Sequence, residues 1–291
     1  MTSKEILQKA SDYLVSLTGS TIPVLDVAKP HDIEYARHLS KVVSKLSPLV
    51  GNMIEYNVCQ ILNTLDWKNE GKWIRQDPGF PDTIFSGKVN PIPGIEIKTW
   101  FPLATEITAR FKDSIKFFGE EQTNVALVAW LPEYIIYGKP KLIGVWVGSA
   151  KSLAEARDTH YHNPPDYLVF EPEDTSSRTS NLQQTNTNGF KFQGTSDEFK
   201  VAENEIVKWG KDYKKFSHEV DYQTKLKQLI GKYNYRLDTN FAKMDRIRHT
   251  SLEDFKKTIL SLEVHGHTVK QWGKLILDEE RDITSYIEKL L

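Results

Sequence analysis

"GFPDTIFSGKVNPIPGIEIKTWF", Gly79 to Phe101, decides how this chain is read. An aspartate follows a proline, a Gly/Pro-rich bend intervenes, and the chain returns with a glutamate and a lysine separated by one isoleucine. If Ile95 to Trp100 is a strand, its side chains alternate, so Glu96 and Lys98 share one face while Ile95 and Ile97 share the other. Phe80, Ile84, Ile95, Ile97 and Trp100 frame these charges with apolar bulk, where an unpaired carboxylate is costly. Such carboxylates need a metal or a partner.

Before this stretch, "HDIEYARHLSKVVSKLSPLVGNMIEYNVCQILNTLDW" has the apolar spacing of two amphipathic helices broken near Ser47-Pro48. From Lys72 the pattern changes to short β-branched and aromatic runs: "KWIRQ", "GIEIKTW", "NVALVAWLP", "YIIYG", "KLIGVWVG" and "DYLVFEP". "EDTSSRTSNLQQTNTNGFKFQGTSDEF" is rich in Ser, Thr, Asn and Gln and reads as a long surface loop or irregular hairpin. Helical periodicity returns from about Val201. The order predicts an α/β (α+β) fold, a central mixed β-sheet flanked by helices. We read one domain over 1–291, in which residues 1–70 are helical, 71–200 supply the sheet and the polar loop, and 201–291 are again helical.

Composition narrows the class. Hydrophobic content of 39% and charged content of 26% are ordinary globular values. The single cysteine, Cys59, rules out an internal disulfide and suits a reducing cytosol. No apolar run approaches a membrane span and the N-terminus lacks a signal-peptide pattern, so we expect a cytoplasmic protein with no membrane association. Net charge is −1, which argues against indiscriminate polyanion binding but leaves room for a locally basic cleft. Basic residues outnumber acidic ones by roughly two to one between Val207 and Lys257.

Phosphodiester hydrolysis requires a hard divalent cation, an activated water and relief of charge on the departing oxygen. Mg²⁺ prefers oxygen ligands and keeps several waters. Asp82 and Glu96 supply such ligands, joined by the backbone carbonyl of Ile97. Lys98, two residues along the same face, is placed to orient or deprotonate the water and to offset transition-state charge.

Pro81-Asp82 and Glu96-Ile97-Lys98, in the text "FPDTIF...GIEIKTW", resemble the PD-(D/E)xK nuclease superfamily and within it the type II restriction endonucleases, with an EcoRV-like active-site hairpin. The resemblance covers about 25 residues. It implies a restriction-endonuclease-like core, Mg²⁺ with Mn²⁺ as a substitute, Asp82 and Glu96 as metal ligands, Lys98 as catalytic lysine, and 5′-phosphate ends. It also implies a further acid from a preceding helix, for which Glu55 in "LVGNMIEYNVCQIL" is the candidate, and a cognate DNA methyltransferase in a prokaryotic host. Asp77 is a weaker substitute for Asp82.

Reading bases takes Asn, Gln and Arg. The candidates are Arg178, Asn181, Gln183, Gln184, Asn186 and Asn188, with Arg110 and Lys112 as phosphate contacts. The partner expected is double-stranded DNA, and symmetric sites call for a homodimer. The histidines of "HYH" and "HGH" lack further zinc ligands at suitable spacing and read as structural. Trp130, Trp146, Trp209 and Trp272 read as packing residues. Two other readings stay open: a repair nickase or junction resolvase of the same superfamily, and a non-catalytic DNA-binding or interaction protein.

Overall fold

A computed structural model describes residues 1–77, 79–171, 187–277 and 283–291. The fold is a mixed α/β one. The main helices are α1 (Ser3–Ser16), α2 (Ile33–Val42), α3 (Ser47–Leu62), α4 (Ala150–Tyr161), α5 (Ser196–Val207), α6 (Val220–Lys232), α7 (Thr250–Ser261) and α8 (Val269–Leu277). The main strands are β1 (Gly71–Arg75), β2 (Thr83–Gly87), β3 (Gly94–Trp100), β4 (Thr123–Pro132), β5 (Pro140–Ser149), β6 (Tyr167–Phe170), β7 (Asn188–Phe192) and β8 (Tyr235–Asp238). Among the described residues, no helix is long and apolar enough to cross a membrane. The single domain expected over 1–291 is resolved by its contacts into two compact units. Met1–Ala109, Gln122–Gly148 and Thr250–Leu291 form the first; Arg110–Glu121 and Ser149–His249 form the second. Sequence order hides this division because each unit is discontinuous.

The first unit is built on the sheet β1-β2-β3-β4-β5. β1 and β2 pair antiparallel, as do β2 and β3, whereas β3 and β4 are parallel. A parallel pair requires a crossover, which the chain makes between Phe101 and Gln122. β4 lies inside the sheet and is buried at nearly every position, so both of its faces are covered. A capping box of Thr2 and Glu5 starts α1, whose Ile6, Leu7, Ala10 and Leu14 turn inward. The expected helix break falls just before Ser47, where one turn of 3₁₀ helix precedes α3 and Pro48 occupies its first turn. Trp67, Trp73 and Phe85 pack edge to face, with the Trp67 ring 6.0 Å from Trp73 and 5.4 Å from Phe85. Just beyond α3, Asn63 binds the edge strand β1: its Nδ2 donates to the Trp73 carbonyl at 2.8 Å, and the Trp73 N–H donates to its Oδ1 at 2.8 Å.

"YIIYG" is not the strand its composition predicted. Tyr134–Gly138 is the turn from β4 to β5, with Ile135 at φ 66° and both isoleucines buried. Its apolar residues face the core from a folded-back turn, which a β-branched count cannot distinguish from a strand.

In the second unit, β6, β7 and β8 form an antiparallel sheet. β6 is the strand expected of "DYLVFEP" and pairs with β7, but the polar tract does not extend as far as expected: Asn188–Phe192 is strand and Ser196–Val207 is helix. Residues 172–186, including Arg178, Asn181, Gln183, Gln184 and Asn186, lie outside the described residues. The interior of this unit holds an ionic cluster. Fully buried Arg157 donates to Asp158 Oδ1 at 2.6 Å, to the Phe111 carbonyl at 2.9 Å and to Thr187 Oγ1 at 3.0 Å. Glu171 accepts from the hydroxyls of Ser114 and Thr187. Burial, reinforced by the charge of Asp158, pushes the Glu171 carboxyl up to about 7, with Arg157 and Lys116 opposing.

The folded state thus holds a Glu171 proton that the unfolded chain releases near 4.5. The stability of the second unit is expected to fall as pH rises from about 4.5 to about 7. Thermal melts across that range should show the slope, and Glu171→Gln should flatten it.

Candidate active site

The antiparallel ladder between β2 and β3 is short: Ile84 faces Gly94, Thr83 faces Ile95, and there the strands part. Side chains take over from that point. The Asp82 N–H donates to Glu96 Oε2 at 3.1 Å, and the Ile97 N–H donates to Asp82 Oδ2 at 2.6 Å. Each acid therefore holds the backbone of the opposite strand. Within a strand the N–H and C=O of one residue point to the same edge, so the Ile97 carbonyl faces the Asp82 side.

Lys98 shares the Glu96 face, as the alternation predicted. Its Nζ pairs with Glu96 Oε1 and stands 3.9 Å from Asp82 Oδ2. The Glu96 side chain is only 6% exposed, a burial that would cost several kcal/mol for an unpaired ion. Lys98 and the Asp82 N–H offset that cost.

Glu55 approaches from α3. Gly51, one turn earlier on the same helix, allows α3 to lie close to β3, since a Cβ there would be 2.6 Å from Thr99 Oγ1. Burial and then the negative charge of Asp82 raise the Glu55 carboxyl above its ordinary value; Lys98 and Arg75 oppose this and Asp77 adds to it. Arg75 was not anticipated from sequence. It lies 3.6 Å from Glu55 and 2.8 Å from Asp77, at the end of β1. Its signal was position: the last residue of an edge strand, two before an aspartate. Asp77 is 62% exposed and engaged by Arg75, so Asp82 is the aspartate beside Glu96.

Four carboxylates (Glu55, Asp77, Asp82, Glu96) thus stand against two cations (Arg75, Lys98), an excess of two negative charges, equal to the charge of one divalent ion. Among the described residues, no three His, Cys, Asp or Glu side chains are gathered as a self-sufficient metal cage. Mg²⁺ does not require one, since it takes one or two carboxylates and keeps its waters. Asp82 and Glu96, with the Ile97 carbonyl, fit that demand.

Glu55, Asp82, Glu96, Ile97 and Lys98 are all in the first unit. Arg110, Lys112 and Asn188 belong to the second. Arg110 is exposed, the Lys112 carbonyl accepts from Thr187 N–H at 3.1 Å, and Asn188 lies on β7 opposite Phe170. Asn188 is therefore a strand residue and not part of a loop, because β7 begins there. The histidines have packing roles: His162 is buried against Tyr222, and burial pushes its imidazole down to about 4. The His265 ring bonds the Glu133 carbonyl at 2.8 Å, and the His267 ring packs on Trp272.

Two variants test this geometry. A Cβ on Gly94 would lie 2.3 Å from Pro81 Cγ, in a ring that cannot swing aside. Gly94→Ala is expected to cost about 1–3 kcal/mol in denaturant unfolding by overpacking, and to move Asp82 away from Ile97. Glu55→Gln should act in the opposite sense. The Glu55 ionisation opposes folding above its ordinary value of 4.5, so the variant should melt higher than the parent at neutral pH, with the gap closing as pH falls toward 4.5.

In comparisons with protein-family models, curated proteins and solved structures, nothing matches this chain.

Proposed function

We propose that the chain is a Mg²⁺-dependent, sequence-specific type II restriction endonuclease, hydrolysing phosphodiester bonds of double-stranded DNA to leave 5′-phosphates. The observation that carries this reading is the reciprocal strap: Asp82 and Glu96 each bind the other's strand, with Lys98 paired to one and close to the other. A structural ion pair needs only one acid and one base. Here a second carboxylate joins them and a third is held nearby with raised proton affinity.

Asp82, Glu96 and the Ile97 carbonyl are the groups that would hold Mg²⁺, with Mn²⁺ as a substitute. Bound there, the ion supplies charge relief at the phosphate and a more acidic water. Lys98 orients the attacking water and offsets negative charge building on the phosphoryl oxygens. Glu55, its carboxyl held up by burial, is suited to take a proton from that water. The water oxygen bonds to phosphorus as the bond to the 3′ oxygen breaks, and the departing oxygen takes a proton from solvent. The ends are a 5′-phosphate and a 3′-hydroxyl.

One such site per chain cuts one strand at a time, so the reading includes a homodimer on two-fold symmetric DNA. A cognate methyltransferase would protect the host's own copies of the site in a prokaryotic cytoplasm.

The test is digestion of an unmethylated bacteriophage DNA of known sequence with Mg²⁺, beside EDTA and Asp82→Ala controls, with the ends sequenced. Discrete fragments lost in both controls are expected, and Lys98→Ala should lower the cleavage rate about 10²–10⁴-fold while leaving Ca²⁺-supported DNA binding intact. Full activity of Lys98→Ala would overturn the mechanism. Nicking of supercoiled plasmid without linearisation would point to the nickase instead.

A further inference from the structure

β7 and β8 carry a feature that folding alone does not favour. Lys191 on β7 is the direct cross-strand partner of Arg236 on β8, and both are exposed. Like charges placed opposite one another destabilise a sheet. The pattern recurs where Arg110 forms an isolated antiparallel bridge with Lys243. Twice, then, the backbone pairing of the second unit sets two cations side by side.

The two faces of this sheet differ. Leu168, Phe170, Phe190 and Tyr235 pack with Ile206, Leu226 and Leu229 of α5 and α6. Tyr167, Lys191 and Arg236 form a row on the other face. There Phe241 lies so close over Gly189 that a Cβ would meet its ring at 2.5 Å. Beside it run two adjoining grooves that share Lys191, Asp238 and Asn240. Gln193 and Arg236 line one, and Asp166 lines the other. The cations suit phosphates, and the amides and carboxylates suit base edges, the combination a two-stranded ribbon presents to a duplex groove.

We infer that the β7–β8 ribbon of the second unit is a duplex-DNA contact surface, with Lys191 and Arg236 on the phosphate backbone and Gln193 and Asn240 facing the bases. This rests on the nuclease reading for the identity of the polyanion. It goes beyond it in assigning recognition to residues outside the polar tract 172–186.

The experiment is fluorescence anisotropy of the full chain with labelled duplex DNA in EDTA, titrated across salt concentrations, for the parent and the double variant Lys191→Thr/Arg236→Thr. We expect affinity to fall at least about tenfold and the slope of log K against log salt to shrink by about 2, one unit for each phosphate contact. Without DNA, the variant should melt within a few degrees of the parent, since the lost repulsion and the lost attraction to Asp238 offset one another. A merely structural pair would give lower melting with an unchanged salt slope. If the double variant does not fold, Lys191→Gln carries the test with a slope change of about 1. Unchanged affinity and slope in a variant whose parent binds and cuts DNA would overturn this inference alone. Loss confined to double-stranded RNA would also overturn it. A parent chain that does not bind duplex DNA at all would remove the nuclease reading too.

Discussion

The arrangement of Asp82, Glu96 and Lys98 depends on a ladder that stops early. Past Thr83 and Ile95 no β2 residue is left to pair with β3, and an open strand there would leave the Ile97 N–H without a partner. The Asp82 carboxylate fills that role, and Glu96 returns the bond to the Asp82 N–H. Two acids are thereby fixed by backbone geometry and not by flexible side-chain contacts. Their orientation follows from the sheet itself, which is what a preorganised site requires.

The surroundings hold this arrangement from two sides. Gly94 lets the Pro81 ring sit against β3, and Gly51 lets α3 approach Thr99. Both are backbone positions where a single methyl group would push a charged residue out of place. Glu171 and Glu55, both with carboxyls raised by burial, show how different such burial can be. Glu171 is enclosed, and its two hydroxyl donors only partly offset the burial and the Asp158 charge that push its carboxyl up to about 7. Glu55 is half-buried among other carboxylates, with Lys98 and Arg75, the latter 3.6 Å away, opposing the upward shift.

How much of this was legible in the sequence follows from the range of the forces involved. The alternation in "GIEIKTW" placed Glu96 and Lys98 on one face, and the PD dipeptide fourteen residues before Glu96 marked the facing strand. The break before Pro48 and the change to strands after Lys72 were local signals of the same kind. "YIIYG" misled because burial and strand composition look alike when a turn folds into the core. Arg75 and the Lys191–Arg236 pair were invisible because they depend on register between segments, which no local pattern encodes. The division into two units was hidden for the same reason, since Thr250–Leu291 rejoins a body begun at Met1.

The amide of Asn63 has a consequence for assembly. The Trp73 N–H and C=O point away from β2 and would otherwise be the middle of an unpaired edge, the kind of template onto which another chain adds a strand. Asn63 mimics one residue of such a strand and occupies both groups, while Lys72 and Arg75 put positive charge on either side. A second copy seeking to extend this sheet would first have to displace an internal imitation of itself. The β1 edge is thus blocked at Trp73, its middle residue, against the addition of another strand.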